Sequence, residues 1–310
     1  MTPTLGIDLG GTFARAAVVD ERGNILSVAK IALTERAPEA VVESIAHAAK
    51  AAVDSAGVAV QGCGVGAAGQ IHGDSGVLAV APNLGWRNVP LGTMLGQRLG
   101  HAVRLVNDLS AAAWGELHAG AGRGAQDLFV VFVGSGVGSA IIANGQLLRG
   151  ANGVGAELGH VKVVPGGRQC GCGERGCLEA YAGGHNLIYQ AQELVQEGCS
   201  PELQRLSGGH PAQLTPLTLE RAALAGDPAA REVHARAGQM LALAVANQVT
   251  VLNPARLILG GGVLTNCPQL RRQVLEGVQA WSSRTSREGL LIADAELGDD
   301  SGLIGAALLA

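Results

Sequence analysis

Leu5-Gly6-Ile7-Asp8-Leu9-Gly10-Gly11-Thr12 leads into Ala16-Ala17-Val18-Val19 and the turn Asp20-Glu21-Arg22-Gly23. The same order returns at Leu128-Phe129-Val130-Val131-Phe132-Val133, Gly134-Ser135-Gly136-Val137-Gly138, Ala140-Ile141-Ile142 and Asn144-Gly145. Each stretch reads as an apolar strand, a tight glycine loop, a second strand and a hairpin turn. One supersecondary plan used twice implies two related halves, expected to face each other. A third glycine cluster, Gly260-Gly261-Gly262, follows the apolar strand Arg256-Leu257-Ile258-Leu259. Glycine at a strand end lets backbone N–H groups approach an anion or a flat ring with no Cβ in the way. Any one cluster reads as a tight turn first. Three at strand ends, with Asp8 ahead of the first, favour a nucleotide. None is a Walker A or dinucleotide fingerprint, because Asp8-Leu9-Gly10-Gly11-Thr12 lacks the lysine and the spacing.

The segments between fill with helices. Residues 38–56 place Val41, Val42, Ile45, Ala49 and Val53 at helical spacing and stop at Gly57. Residues 229–252 predict a long helix ended by Asn253-Pro254, and 198–216, rich in Gly, Pro, Ser and Gln, predict a surface connection. Hydrophobic residues make up 47% of the 310-residue chain but aromatics only 3%, so the cores must pack from Ala, Val, Leu and Ile. The length suffices for two domains. A net charge of −4 offers no electrostatic footprint for nucleic acid or an anionic membrane. The apolar run at 240–246 is broken by Asn247 and Gln248, far short of the ~20 residues a membrane span needs. With no basic leader ahead of the first strand, a cytoplasmic protein is expected.

Chemistry concentrates in Glu157-Leu158-Gly159-His160 and in Cys170-Gly171-Cys172-Gly173-Glu174-Arg175-Gly176-Cys177-Leu178-Glu179. Three cysteines and one histidine in a glycine-rich segment match a closed, four-coordinate zinc site, with His160, Cys170, Cys172 and Cys177 as ligands. The alternatives are a free-thiol loop or a disulfide. Cys170 and Cys172 are too close to bridge easily, and nothing points to an oxidising compartment. Glu157 and Glu179 flank the metal ligands on both sides, an arrangement suited to holding a polar ligand. Cys63, Cys199 and Cys267 read as ordinary buried thiols. Asn107-Asp108 closes the short strand Val103-Arg104-Leu105-Val106, where α/β folds place ligands. There Asp108 either accepts a proton from a substrate hydroxyl or caps the helix that follows.

On these residues the chain resembles the sugar kinases of the ROK family (repressor, open reading frame, kinase), within the actin–hexokinase–Hsp70 class. The resemblance covers essentially the whole chain. It rests on the ordered set Asp8-Leu9-Gly10-Gly11-Thr12, Pro82-Asn83-Leu84-Gly85-Trp86, Asn107-Asp108, Gly134-Ser135-Gly136, Glu157-Leu158-Gly159-His160, Cys177-Leu178-Glu179 and Leu259-Gly260-Gly261-Gly262. It implies an α/β fold of two ribonuclease-H-like (actin-like ATPase) domains flanking a central cleft. A small N-terminal domain over 1–110 would be joined by a C-terminal helix over 301–310. The large domain over 111–300 would carry a zinc-binding loop over 157–179.

The same resemblance implies ATP-dependent phosphorylation of a hexose at its 6-hydroxyl. Glucose leads; fructose, mannose and N-acylated hexosamines are the nearest alternatives. Asp108 would be the general base. Asn83, Asn107, Glu157, His160 and Glu179, with the backbone of Gly69, would bind the sugar. Gly10, Gly11 and Thr12 would cradle phosphates together with Gly134, Ser135 and Gly136. Asp8 would help hold Mg²⁺, and Gly260, Gly261 and Gly262 would lie against the adenosine. Zinc would be structural, with His160 offering one ring nitrogen to the sugar and the other to the metal. Three departures from the family pattern touch these parts: Phe13 where lysine is common, with Arg15 two positions on; Gly155-Ala156 in reversed order; and Ala68-Gly69 for Pro-Gly.

The rival from another class is a sugar-sensing regulator without a DNA-binding domain. The family's repressors carry a helix-turn-helix ahead of the first glycine loop, and here the first strand begins by residue 5. A zinc-stabilised sugar binder without activity is opposed by Asp108 and the three glycine clusters. A homodimer or higher homo-oligomer is expected, and the Ala/Leu-rich helix near 230–252 offers an interface, though a buried helix would read the same way.

Overall fold

Strand β1 (Thr4–Leu9) pairs antiparallel with β2 (Phe13–Val19), and β2 pairs with β3 (Ile25–Ala32). Helix α1 (Pro38–Ala56) follows, started by a proline whose φ is preset for the first turn and ended by Gly57 at φ 65. Next come β4 (Cys63–Ala67) and a small sheet of β5 (Gln70–Ile71), β6 (Leu78–Ala81) and β7 (Trp86–Val89). Helix α2 (Leu91–Leu99), β8 (Val103–Asn107) and α3 (Asp108–Ala119) complete this stretch. The main sheet runs β3-β2-β1-β4-β8, with β4 parallel to both β1 and β8. The structure, a computed structural model, describes residues 2–73 and 75–310.

The second five-stranded sheet contains β9 (Leu128–Val133), β10 (Val137–Ala143), β11 (Gln146–Leu147), β12 (Arg256–Gly260) and β13 (Leu291–Asp294). Its order is β11-β10-β9-β12-β13. In each sheet the order is therefore third, second, first, fourth, fifth, so the plan seen twice in the glycine loops is built twice. Asn144 (φ 51) and Gly145 (φ 72) form the left-handed pair that a tight two-residue hairpin needs. Helices α4 (Glu179–Ala182), α5 (Gly184–Gln196), α6 (Pro201–Leu206), α7 (Pro216–Leu224), α8 (Pro228–Leu252), α9 (Gly262–Asn266) and α10 (Pro268–Trp281) lie between β11 and β13. The chain ends in α11 (Ser301–Leu308).

By packing, the chain divides into two units. One comprises the residues up to Leu128 with Ala140–Ala156 and Asp294–Ala310; the other is Phe129–Ser139 with Glu157–Ala293. In the first unit Leu5, Ile7 and Leu9 of β1 turn one face to Val41, Ile45 and Ala49 of α1, in one buried cluster. The opposite face carries Gly6 and Gly64, where a Cβ would collide with the carbonyls of Leu303 and Ala306. Bare backbone at these two positions lets α11 lie directly on the sheet, beside α3. In the second unit α8 buries Val233, His234, Ala237, Leu241, Val245 and Val249 along one stripe, at the spacing that predicted it.

Two expectations are corrected. Residues 198–216 are not a plain surface connection: α6 lies within them, with Leu203 fully buried. Ser200 caps this helix, accepting from the Leu203 N–H at 3.3 Å, and Pro201 opens it, so Ser-Pro-Glu is an N-terminal helix signal inside a loop-like composition. Cys199 is exposed, whereas Cys63 and Cys267 are buried. Among the described residues no helix is long and apolar enough to cross a membrane.

Candidate active site

In the first unit, Asp108 is the first residue of α3, at the carboxyl end of β8. The capping role belongs to its neighbour: Asn107 Oδ1 accepts from the N–H groups of Leu109 (3.0 Å) and Ser110 (3.2 Å). Asn107 also donates from Nδ2 to the Gly69 carbonyl at 3.1 Å, which joins two residues expected at the sugar. The Asp108 carboxylate accepts from the Leu109 N–H at 3.0 Å, but burial outweighs that bond and raises its pKa above 3.8. Asp8 is pushed up to about 6, first by burial and then by the charge of Asp108, with Arg15 pulling the other way.

Arg15 is the direct cross-strand partner of Asp8 in the β1–β2 register. Its guanidinium donates to the Asp299 carbonyl at 2.7 Å and pairs with the Asp300 carboxylate, tying the strand pair to the segment that opens α11. At Phe13, where the family pattern has a cation, Lys30 lies 4.1 Å above the ring. Gly11, expected at the phosphates, faces Asn83: a Cβ there would come within 2.8 Å of the Asn83 Cβ. The turn that carries Asn83 is held by Arg36, whose guanidinium donates to the Asn83 carbonyl while its own carbonyl accepts from Trp86 Nε1 at 2.6 Å.

In the second unit the Gly134-Ser135-Gly136 loop is fastened to the start of α5. Gly184 N–H donates to the Gly134 carbonyl (3.0 Å) and His185 N–H to that of Ser135 (2.9 Å). Glu179 Oε2 accepts from the Val137 N–H at 3.0 Å and lies so near Gly136 that a Cβ there would strike it. A residue expected at the sugar therefore abuts the loop expected at the phosphates. Gly261 (φ 88) lies against the end of β9, its absent Cβ 2.5 Å from the Val133 carbonyl. Glu157 and His160 are neighbours across a single 3₁₀ turn, with Oε2 and Nε2 4.0 Å apart.

The other face of His160 meets the cysteines. Its Nδ1 is 3.8 Å from Cys170 Sγ, and Cys172 Sγ is 3.8 Å from Cys177 Sγ. All four donor atoms lie within 4.8 Å of one another. Zinc–sulfur bonds of about 2.3 Å in a tetrahedron put neighbouring sulfurs about 3.8 Å apart, so the donor set and its spacing fit zinc. Cys170, Cys177, Ala180 and Tyr181 form one buried cluster beneath it.

The ROK family model matches residues 4–310. The chain belongs to the ROK family. It is 36% identical to a glucokinase of Streptomyces coelicolor, over 99% of this chain and 97% of that relative. Among solved structures, a ROK hexokinase from Thermus thermophilus superposes with a TM-score of 0.84 at 34% identity, covering 99% of this chain and 97% of its own. A ROK glucokinase from Streptomyces griseus, solved with glucose and AMPPNP, gives 0.80 at 36% identity with 99% of both chains covered. These structures share the actin-like ATPase fold, as this ROK chain does.

Two buried carboxylates of this ROK chain escaped the sequence reading. Glu116, on α3, is fully buried and accepts from the N–H groups of Ala121 (2.9 Å), Glu296 (3.1 Å) and Leu297 (2.9 Å). It thereby fastens the segment that leads to Asp299 and Asp300. Glu220, on α7, accepts from the N–H groups of Gln269 (3.2 Å) and Leu270 (2.9 Å) and lies 3.1 Å from His234 Nε2. Both lie among the buried residues of their helices, but their partners come from distant segments that helical spacing does not reveal.

Proposed function

We propose that this chain is an ATP-dependent kinase that phosphorylates a hexose, glucose foremost, at its 6-hydroxyl. The observation that carries the reading is Asp108. It stands at a strand end, is relieved of the cap role by Asn107, and is enclosed enough for its carboxyl to be raised. A base of that kind is suited to taking the proton of a sugar hydroxyl as it attacks phosphorus. The glucokinase likeness over nearly the full chain supports the same reaction class.

The remaining residues divide by chemistry. Gly10, Gly11 and Thr12, with Gly134, Ser135 and Gly136, present short loops whose N–H groups suit phosphate oxygens. Gly260, Gly261 and Gly262 offer bare backbone to the adenosine. Asn83, Asn107, Glu157, His160 and Glu179, with the Gly69 backbone, offer the donors and acceptors that sugar hydroxyls require. Asp8 would hold Mg²⁺ through water, and the bound ion would neutralise charge on the phosphates. His160, Cys170, Cys172 and Cys177 would hold zinc, which fixes the loop bearing His160 and Glu179. Phosphoryl transfer is governed by positioning and charge, and this residue set supplies both.

The test is ADP release with Mg-ATP against glucose, mannose, fructose, N-acetylglucosamine and N-acetylmannosamine. Turnover highest on glucose is expected. A clear preference for an acylated hexosamine would move the substrate assignment and leave the kinase standing. Absence of turnover on every sugar, with zinc-replete protein, would overturn the kinase reading.

A further inference from the structure

We infer that Lys162 is a working part of the metal centre. Its ammonium donates to the Cys177 thiolate, and this bond retards loss of the metal. The inference rests on the reading that His160, Cys170, Cys172 and Cys177 hold zinc.

The charge count gives a cation something to offset. Three thiolates around one dication leave an excess negative charge, in a cluster where Cys170 and Cys177 are buried. The nearby carboxylates add to it. Glu179 Oε1 lies 3.8 Å from Cys170 Sγ, and Glu157 lies beside His160. Two other cations of the loop point elsewhere. Arg168 pairs with Glu193 at 2.8 Å, and Arg175 donates to the Gly166 carbonyl and to Gln169. Lys162 is the cation that reaches a metal-binding sulfur, with Nζ 3.0 Å from Cys177 Sγ.

Backbone geometry builds this contact. Lys162 is the antiparallel bridge partner of Cys177. The bridge is flanked by Leu178 N–H to the Val161 carbonyl and Val163 N–H to the Gly176 carbonyl, both at 2.9 Å. Directly opposed residues in such a pair project to the same side, so the ammonium is delivered to the sulfur by the chain itself. The same ammonium bonds the Glu174 carboxylate and, at 3.5 Å, the His160 carbonyl. One side chain thus clasps the segment of the first ligand, the turn between the cysteines, and the last ligand. Partners that bond a metal's ligands tune its hold, and losing one typically costs about 10- to 100-fold in affinity.

The experiment uses the full chain. Zinc content is measured first, then the rate of zinc transfer to a chromogenic chelator, in the wild type, Lys162→Met and Lys162→Arg, each checked for folding by circular dichroism. The expected result is about one zinc per chain, release about tenfold or more faster in Lys162→Met, and a rate near wild type in Lys162→Arg. Raising the salt should narrow the gap, since Lys162 is 38% exposed and screened. A zinc-loaded wild type whose Lys162→Met variant releases metal at an unchanged rate overturns the inference and leaves the zinc reading intact. Equal acceleration in both variants makes the contact one of shape and overturns the charge argument. A wild type without metal overturns both.

Discussion

The two ends of α3 hold two carboxylates in different surroundings, one half-buried and one fully buried. Asp108, at the amino end, is bonded only by its immediate neighbours, the Leu109 N–H, its own N–H and the Asn107 side chain, and burial outweighs them and raises its pKa. Glu116, near the carboxyl end, is fully buried and accepts three N–H groups from two other segments. A carboxylate surrounded by donors is spent on holding backbone in place. One whose burial outweighs its hydrogen bonds keeps its proton affinity high. Burial alone therefore does not mark a reactive acid; burial minus hydrogen bonds does.

Replacing Asp108 tests that contrast most severely. Asp108→Asn keeps the shape and removes the proton acceptor, so kcat should fall at least ~10²-fold while glucose binding, measured by calorimetry, stays largely intact. Its unfolding midpoint should not drop, because a carboxylate whose pKa is raised in the folded state contributes no net stability when charged. Near-normal turnover in this variant would remove the proposed mechanism.

Glu116→Ala should reverse the pattern. Three N–H donors, one buried and two part-buried, lose their acceptor, for an expected cost of about 3 kcal/mol in urea unfolding. Turnover per folded molecule should fall far less than in Asp108→Asn. Comparable losses of turnover in both variants would mean that the two ends of α3 are not functionally distinct.

The same contrast predicts the pH profile. Asp108 acts as a base only when ionised, and its pKa is raised, so kcat/KM should fall as pH drops, with its acid limb centred above 3.8. For stability the sign is opposite. A folded pKa of about 6 at Asp8, against 3.8 unfolded, means the folded state binds its proton more tightly. The Asp8 contribution should therefore favour the fold as pH falls from about 6 toward 3.8. An acid limb at or below 3.8 would show Asp108 to be an ordinary exposed carboxylate.

Sequence alone carried the repeated strand–glycine–strand plan, the α1 and α8 spans, the cysteine cluster and the place of Asp108 at a strand end, because each has a local signature: a turn chemistry, a helical stripe or a ligand set. It left Asp108 divided between base and cap, because both roles ask for the same residue at the same place; only the Asn107 side chain, bonded to two α3 N–H groups, separates them. Glu116, Lys162 and Arg15 were illegible for another reason. Their partners are Leu297, Cys177 and Asp300, brought near by pairing and packing that no local pattern encodes. Residues 198–216 misled because Gly, Pro and Ser serve helix starts as well as loops.

The smallest effect concerns the second unit, where Glu220 repeats the Glu116 design with two N–H donors and His234. Glu220→Gln preserves the size and one acceptor oxygen, which can still serve Leu270 or Gln269. One backbone donor is left facing an amide, so a loss of about 1 kcal/mol is expected in urea unfolding. If donors decide what a buried carboxylate does, this cost stays well below that of Glu116→Ala. A loss as large as 3 kcal/mol would mean that the charge of Glu220 is itself needed, paired with a protonated His234. The rule drawn from α3 would then hold for the first unit and fail for the second.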